Sequence, residues 1–97
     1  MATYIVLASF TDQGIRHIKD TTKRVDASKE LAKSLGATLK EVYWTLGQYD
    51  VAAVVDAPND AVITAFGLTL GKAGNVRTQT LRAFSRADMD AILGKVA

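Results

Sequence analysis

Cysteine is absent from the 97 residues, so no disulfide, thiolate nucleophile or thiolate metal site can form. Small secreted domains commonly need such staples, and a chain without them is expected in the cytoplasm. Histidine occurs once, at His17, with no H-x-x-x-H spacing and no acidic cluster, so no metal and no cofactor is expected. Charge of one sign never accumulates. Twelve Lys and Arg are interspersed with ten Asp and Glu for a net charge of +2, and a phosphate backbone would find no basic track to follow. Long hydrophobic runs are also missing. The opening Met1–Ala8 carries no basic segment and is apolar only over the length of a strand, so neither a targeting segment nor a membrane partner is expected. The chain is expected to be complete and to fold as one domain over residues 1–97, because this length supports one core and not two.

What is present is periodic. Tyr4–Phe10 is β-branched and aromatic with apolar side chains on both alternation faces, which predicts a central strand. Thr11-Asp12-Gln13-Gly14 supplies cap and turn chemistry. Ile15, Ile18, Thr22, Val25, Ala32 and Leu35 then follow helical spacing, predicting one long helix interrupted near Asp20–Thr22 and ended by Gly36. Thr38–Leu46 and Tyr49–Ala57 read as strands joined by a two-residue turn at Gly47-Gln48. That register places Val42, Trp44, Leu46, Tyr49, Val51, Ala53 and Val55 on a core face, and Glu41, Tyr43, Thr45, Asp50, Ala52 and Val54 on the other. Pro58-Asn59-Asp60 opens a second helix striped by Val62, Ile63, Phe66 and Leu70 and ended at Gly71–Gly74. Asn75–Phe84 is a more polar strand suited to a sheet edge, and Ser85-Arg86-Ala87-Asp88 caps a short terminal helix.

The order is α+β: a βαββαβ unit with an extra C-terminal helix. Right-handed crossovers arrange it as a ferredoxin-like plait, a four-stranded antiparallel sheet of order 4-1-3-2 with two helices on one face. Apolar groups on the opposite face still have to leave water, at about 25 cal/mol per Å² of apolar area. A second copy packed sheet to sheet is the expected partner.

Three stretches, Thr11-Asp12-Gln13-Gly14-Ile15, Tyr43-Trp44-Thr45-Leu46-Gly47-Gln48-Tyr49-Asp50 and Gly74-Asn75-Val76-Arg77-Thr78, with Leu81-Arg82-Ala83-Phe84 behind them, resemble the GYD-domain family over nearly the full length. The resemblance implies a dimeric α/β-barrel type of ferredoxin-like fold and no settled activity. Gln48 stands where such sequences commonly carry arginine, which removes a charge from the turn.

In the plait the stretches meet at one end of the sheet. Asp50, His17 and Arg77 are the catalytic candidates there, and Tyr43, Thr45, Asp50 and Arg77 the ligand-binding ones. Each has a plainer reading. Asp50 after a turn can pair with Arg77 or accept turn amides, His17 lies off the Ile15/Ile18 stripe in solvent, and Trp44 and Tyr49 fill core space. The expected function is a homo-oligomeric module with a small organic ligand in an inter-subunit or sheet-face cavity. The alternative is a cofactor-free isomerase or monooxygenase-like enzyme acting on a small aromatic or carbonyl substrate, an expectation from fold analogy. Single-stranded RNA binding ranks last, since Tyr43 alone offers an aromatic on the open face.

Overall fold

In the computed structural model, which describes residues 1–97, the first strand β1 (Ala2–Phe10) lies at the centre of the sheet. Antiparallel β3 (Val51–Ala57) and β4 (Val76–Ala83) flank it, and β2 (Thr38–Trp44) completes the order β2-β3-β1-β4. This topology fits the ferredoxin-like plait read from the sequence. Tyr4, Val6 and Ala8 alternate inward with Ala53, Val55 and Ala57 of β3, and all six are buried. Across them pack α2 (Thr21–Ser34), through Ala32, and α3 (Asp60–Ala73), through Ile63 and Phe66. The small residues Ala57 and Ala32 let the layers approach closely, while Phe66 and Val55 fill the volume between them.

The first helical stretch is interrupted, as its sequence suggested, and falls into two helices. The short helix α1 (Asp12–Arg16) ends at His17, and a 3-10 turn over Ile18–Asp20 separates it from α2. The break, over Ile18–Asp20, meets the interruption the sequence suggested near Asp20–Thr22 and begins two residues ahead of it, so Ile15 and Ile18 lie off the α2 stripe and stay exposed. The end of α2 is better specified. Gly36 takes φ +81, its N–H donates to Lys33 O at 3.1 Å, and the N–H of Ala37 donates to Ala32 O at 2.8 Å. These are the paired bonds of a Schellman motif, closed by contact between two buried alanines. Asn59 caps α3 by accepting from Val62 N at 3.0 Å.

The β2–β3 connection is longer than a two-residue turn. Trp44 pairs with Val51, Thr45 N donates to Asp50 O at 2.8 Å, and Leu46–Tyr49 form the loop, with Gly47 at φ +126. Leu46 is therefore fully exposed rather than core. Tyr49 leaves the core side as well. Its hydroxyl donates to Gln79, whose register with Leu7 puts it on the open face, so the ring crosses β1 there.

The final helix α4 (Arg86–Leu93) begins with a reciprocal capping box between Ser85 and Asp88. The Ser85 amide and hydroxyl bonded to Asp88 hold its carboxyl below the usual carboxylate range. None of its residues is buried, and Met89, Ile92, Leu93 and Val96 remain exposed. The radius of gyration, 14.5 Å, exceeds the roughly 13 Å of a compact chain of about this length.

Candidate functional site

The stretches that carry the family resemblance interlock around the end of β1. Thr11 is the hub. Its hydroxyl accepts from Gly14 N at 3.1 Å and donates to Gly74 O at 2.5 Å, while its backbone N–H donates to Asn75 O at 3.1 Å. Gln13 Nε2 adds bonds to Ala73 O and Asn75 Oδ1, both at 3.1 Å. Gly14 is buried against Asn75, and Gly74 at φ +90 ends α3 beneath the Gln13 side chain. Thus the β1–α1 turn is clasped to the α3–β4 turn by four hydrogen bonds and a contact that only a glycine allows.

Asp50 belongs to the same clasp. Its backbone N–H donates to Ala8 O at 2.8 Å, and its carboxylate accepts the Phe10 N–H at 2.8 Å, extending the β1–β3 ladder past the last strand residue. Asp50 makes no ion pair with Arg77, and the chain's one ion pair is Lys40–Asp56 at 3.4 Å. Removing the carboxylate leaves a part-buried N–H without its charged acceptor, a loss of about 1–3 kcal/mol. Asp50→Ala is expected to lower the urea-unfolding free energy by that amount and Asp50→Asn by distinctly less, since the amide keeps an acceptor oxygen. An alanine variant as stable as the parent chain would remove Asp50 from the clasp.

The remaining sequence candidates lie apart. His17 is exposed at the C-terminus of α1 with its side chain unbonded. Arg77 is exposed on edge strand β4, in register with Ser9. Tyr43 is on edge strand β2, where donation to Glu41 at 3.1 Å raises its phenol pKa. Thr45 donates to Tyr49 O at 2.6 Å within the loop. Trp44 does lie on the helix side, yet at the rim, half exposed and donating to Thr21 Oγ1 at 3.0 Å. No three of the His, Asp and Glu side chains gather as a metal site would require.

A cavity that sequence reasoning missed opens on the helix side of this same sheet end. It measures about 450 Å³ between the sheet and the helices α2 and α3, with Val6, Ala8 and Ala53 as floor and Leu31 and Phe66 among its walls. Fourteen of its twenty lining residues are hydrophobic, which makes the space suited to an apolar occupant. The available signal was the run of small residues, Ala8, Ala27, Ser28, Ala53 and Ala73, at positions where larger side chains would have closed the layer. Arg24, in the second turn of α2, also lines it.

The fold and the clasped strand end define a small α+β domain in which Asp50 is bonded into the β1 end while His17 and Arg77 lie apart from it. The chain belongs to the GYD domain family, whose model matches residues 4–93. Over 94 residues it is 35% identical to a Thermus thermophilus protein named glutamine synthetase and cystathionine beta-lyase binding protein, covering 96% of this chain and 99% of that one. It is also similar to the crystal structure of TTHA0845 from Thermus thermophilus, with a TM-score of 0.51 and 32% identity over 88% of this chain and 95% of the other. No helix is long and apolar enough to cross a membrane.

Proposed function

We propose that this chain is a non-catalytic, homo-oligomeric binding module of the cytoplasm, which pairs sheet to sheet in the manner of the dimeric α/β-barrel proteins and docks on a metabolic enzyme. The observation that carries this reading is the open sheet face. Val54, Ile5 and Leu81 stand in one cross-strand row and Ala52 and Leu7 in the next, with both packed helices on the opposite side. Four strands about 4.8 Å apart and seven residues long give a face of roughly 450 Å². A standard interface takes about 800 Å² per partner, and the uncovered apolar stripe of α4 supplies more of that area.

A relative named for binding two enzymes supports protein docking over catalysis, and glutamine synthetase is accordingly the first partner to test. The isomerase or monooxygenase-like alternative has less support, because its carboxylate candidate, Asp50, is spent on the Phe10 amide. Light scattering on the purified chain is expected to return a dimer or larger at micromolar concentration, and calorimetry is expected to show heat on adding glutamine synthetase from the same organism. A monomeric mass sinks the self-association, whereas a stable oligomer with no heat on titration removes the proposed partner alone.

A further inference from the structure

We propose that the cavity between the sheet and α2/α3 is a binding site for an apolar monocarboxylate, with Arg24 receiving the carboxylate. This goes beyond the docking function and does not depend on it. The lining is apolar except for Thr21, Arg24, Ser28, Thr69, Asn75 and Thr78. Arg24 is its only charged member, and no acid lines the space.

The guanidinium is half-buried and held in place. Nη1 donates to His17 O at 2.7 Å and Nη2 to Gly14 O at 3.3 Å, so the head group is fixed on the carbonyls that end α1. Those two bonds use part of its five-donor fork and neutralise none of its charge. No carboxylate within the chain pairs with it. Its position on the helix sharpens the point. Lys23 and Arg24 sit in the opening turns of α2, which has no acid in its first turn and no side-chain cap from Asp20. Cations there oppose the helix macrodipole, and a bound anion relieves both. Beside this cation the floor and walls are mostly carbon, with five uncharged polar side chains among them, so the complementary molecule has an aliphatic or aromatic body and one anionic end. A volume of about 450 Å³ lies within the range of roughly 300–1,000 Å³ that holds small organic ligands.

Octanoate is a suitable probe, with octanol as its uncharged counterpart, titrated calorimetrically into the full chain. Octanoate is expected to bind with a negative heat-capacity change and at least about tenfold more tightly than octanol, the difference being a charge-assisted hydrogen bond. Arg24→Gln is expected to weaken octanoate by about tenfold or more and to leave octanol unchanged, while Arg24→Lys keeps most of the preference. Should Arg24→Gln fail to fold once its bonds to α1 are lost, Ala27→Trp decides: this exposed alanine lines the cavity, and the indole is expected to abolish binding. No octanoate heat at millimolar concentration overturns the proposal. So does binding that survives Ala27→Trp yet disappears in Leu7→Glu, because the ligand would then occupy the open sheet face.

Discussion

Gly14→Ala is expected to destabilise the chain by about 3 kcal/mol or more, lowering its melting temperature by roughly 12–24 °C for a domain of this size. A Cβ on Gly14 would stand 2.1 Å from the carbonyl oxygen of Asn75 and 3.0 Å from its carbonyl carbon, both backbone atoms. Flexible side chains could retreat from such a contact, but here the α3–β4 turn itself has to move. Moving it breaks the Thr11 bonds to Gly74 and Asn75 and the Gln13 bonds to Ala73 and Asn75, so overpacking and lost hydrogen bonds add. The backbone of Gly14 has no positive φ, and space alone decides the sign. Gly71→Ala is the matched control. A methyl at Gly71 would meet nothing within 4 Å and the residue sits inside α3, so alanine there is expected to stabilise by about 0.5–1 kcal/mol through helix propensity. Melting curves followed by circular dichroism separate the two, and a Gly14→Ala curve within a few degrees of the parent chain would dismantle the clasp as described.

The turn residues that specify this clasp were visible in the sequence, but their purpose was not. Thr11-Asp12-Gln13-Gly14 and Gly74-Asn75 stood out as stop and start signals, and local chemistry put them at element ends correctly. That one turn is built to receive the other depends on a contact across some sixty residues, for which periodicity carries no information. Strand order was recoverable because alternation marked β1 as central and β4 as polar, and chain connectivity then left few topologies. The hairpin failed at its tip for a physical reason. Gly47 fits either a two-residue turn or a longer loop, and the hydrogen bond from Thr45 to Asp50 selects the longer one, turning Tyr49 to the open face.

The candidate site shows the same division. Asp50, Arg77 and His17 were gathered by topology at one end of the sheet, and they do lie in elements that meet there. Topology fixes where backbones end, not where side chains point. Asp50 turns into the β1 ladder, and Arg77 and His17 turn to solvent. The cavity escaped notice because it is defined by what is missing: alanines and a serine where larger side chains would have filled the space between the sheet and the helices.

Leu7→Glu is expected to convert the proposed oligomer to a monomer, weakening self-association by at least about a hundredfold while leaving the fold intact. Leu7 is on central strand β1, flanked in register by Ala52 of β3 and Gln79 of β4, so it occupies the middle of the open face. A sheet-to-sheet pair buries that position against its counterpart. A glutamate there loses its water with no cation opposite, and an uncompensated buried charge costs about 3–5 kcal/mol, or more than two decades in affinity. Within one chain this position is half-buried beside the Tyr49 ring and reaches water at the open face, clear of the core formed by Tyr4, Val6, Val55, Ile63 and Phe66 on the other side of the strand. The variant's melting temperature, measured at low concentration, is therefore expected to stay close to that of the dissociated parent chain. Leu81→Glu, exposed on edge strand β4, is expected to weaken pairing less, because an edge charge can reach solvent around the rim. Sedimentation velocity over a concentration series reads both. If Leu7→Glu sediments as the same oligomer as the parent chain, the open sheet face is not the interface, and α4 with its exposed Met89, Ile92 and Leu93 is left as the surface that joins the copies.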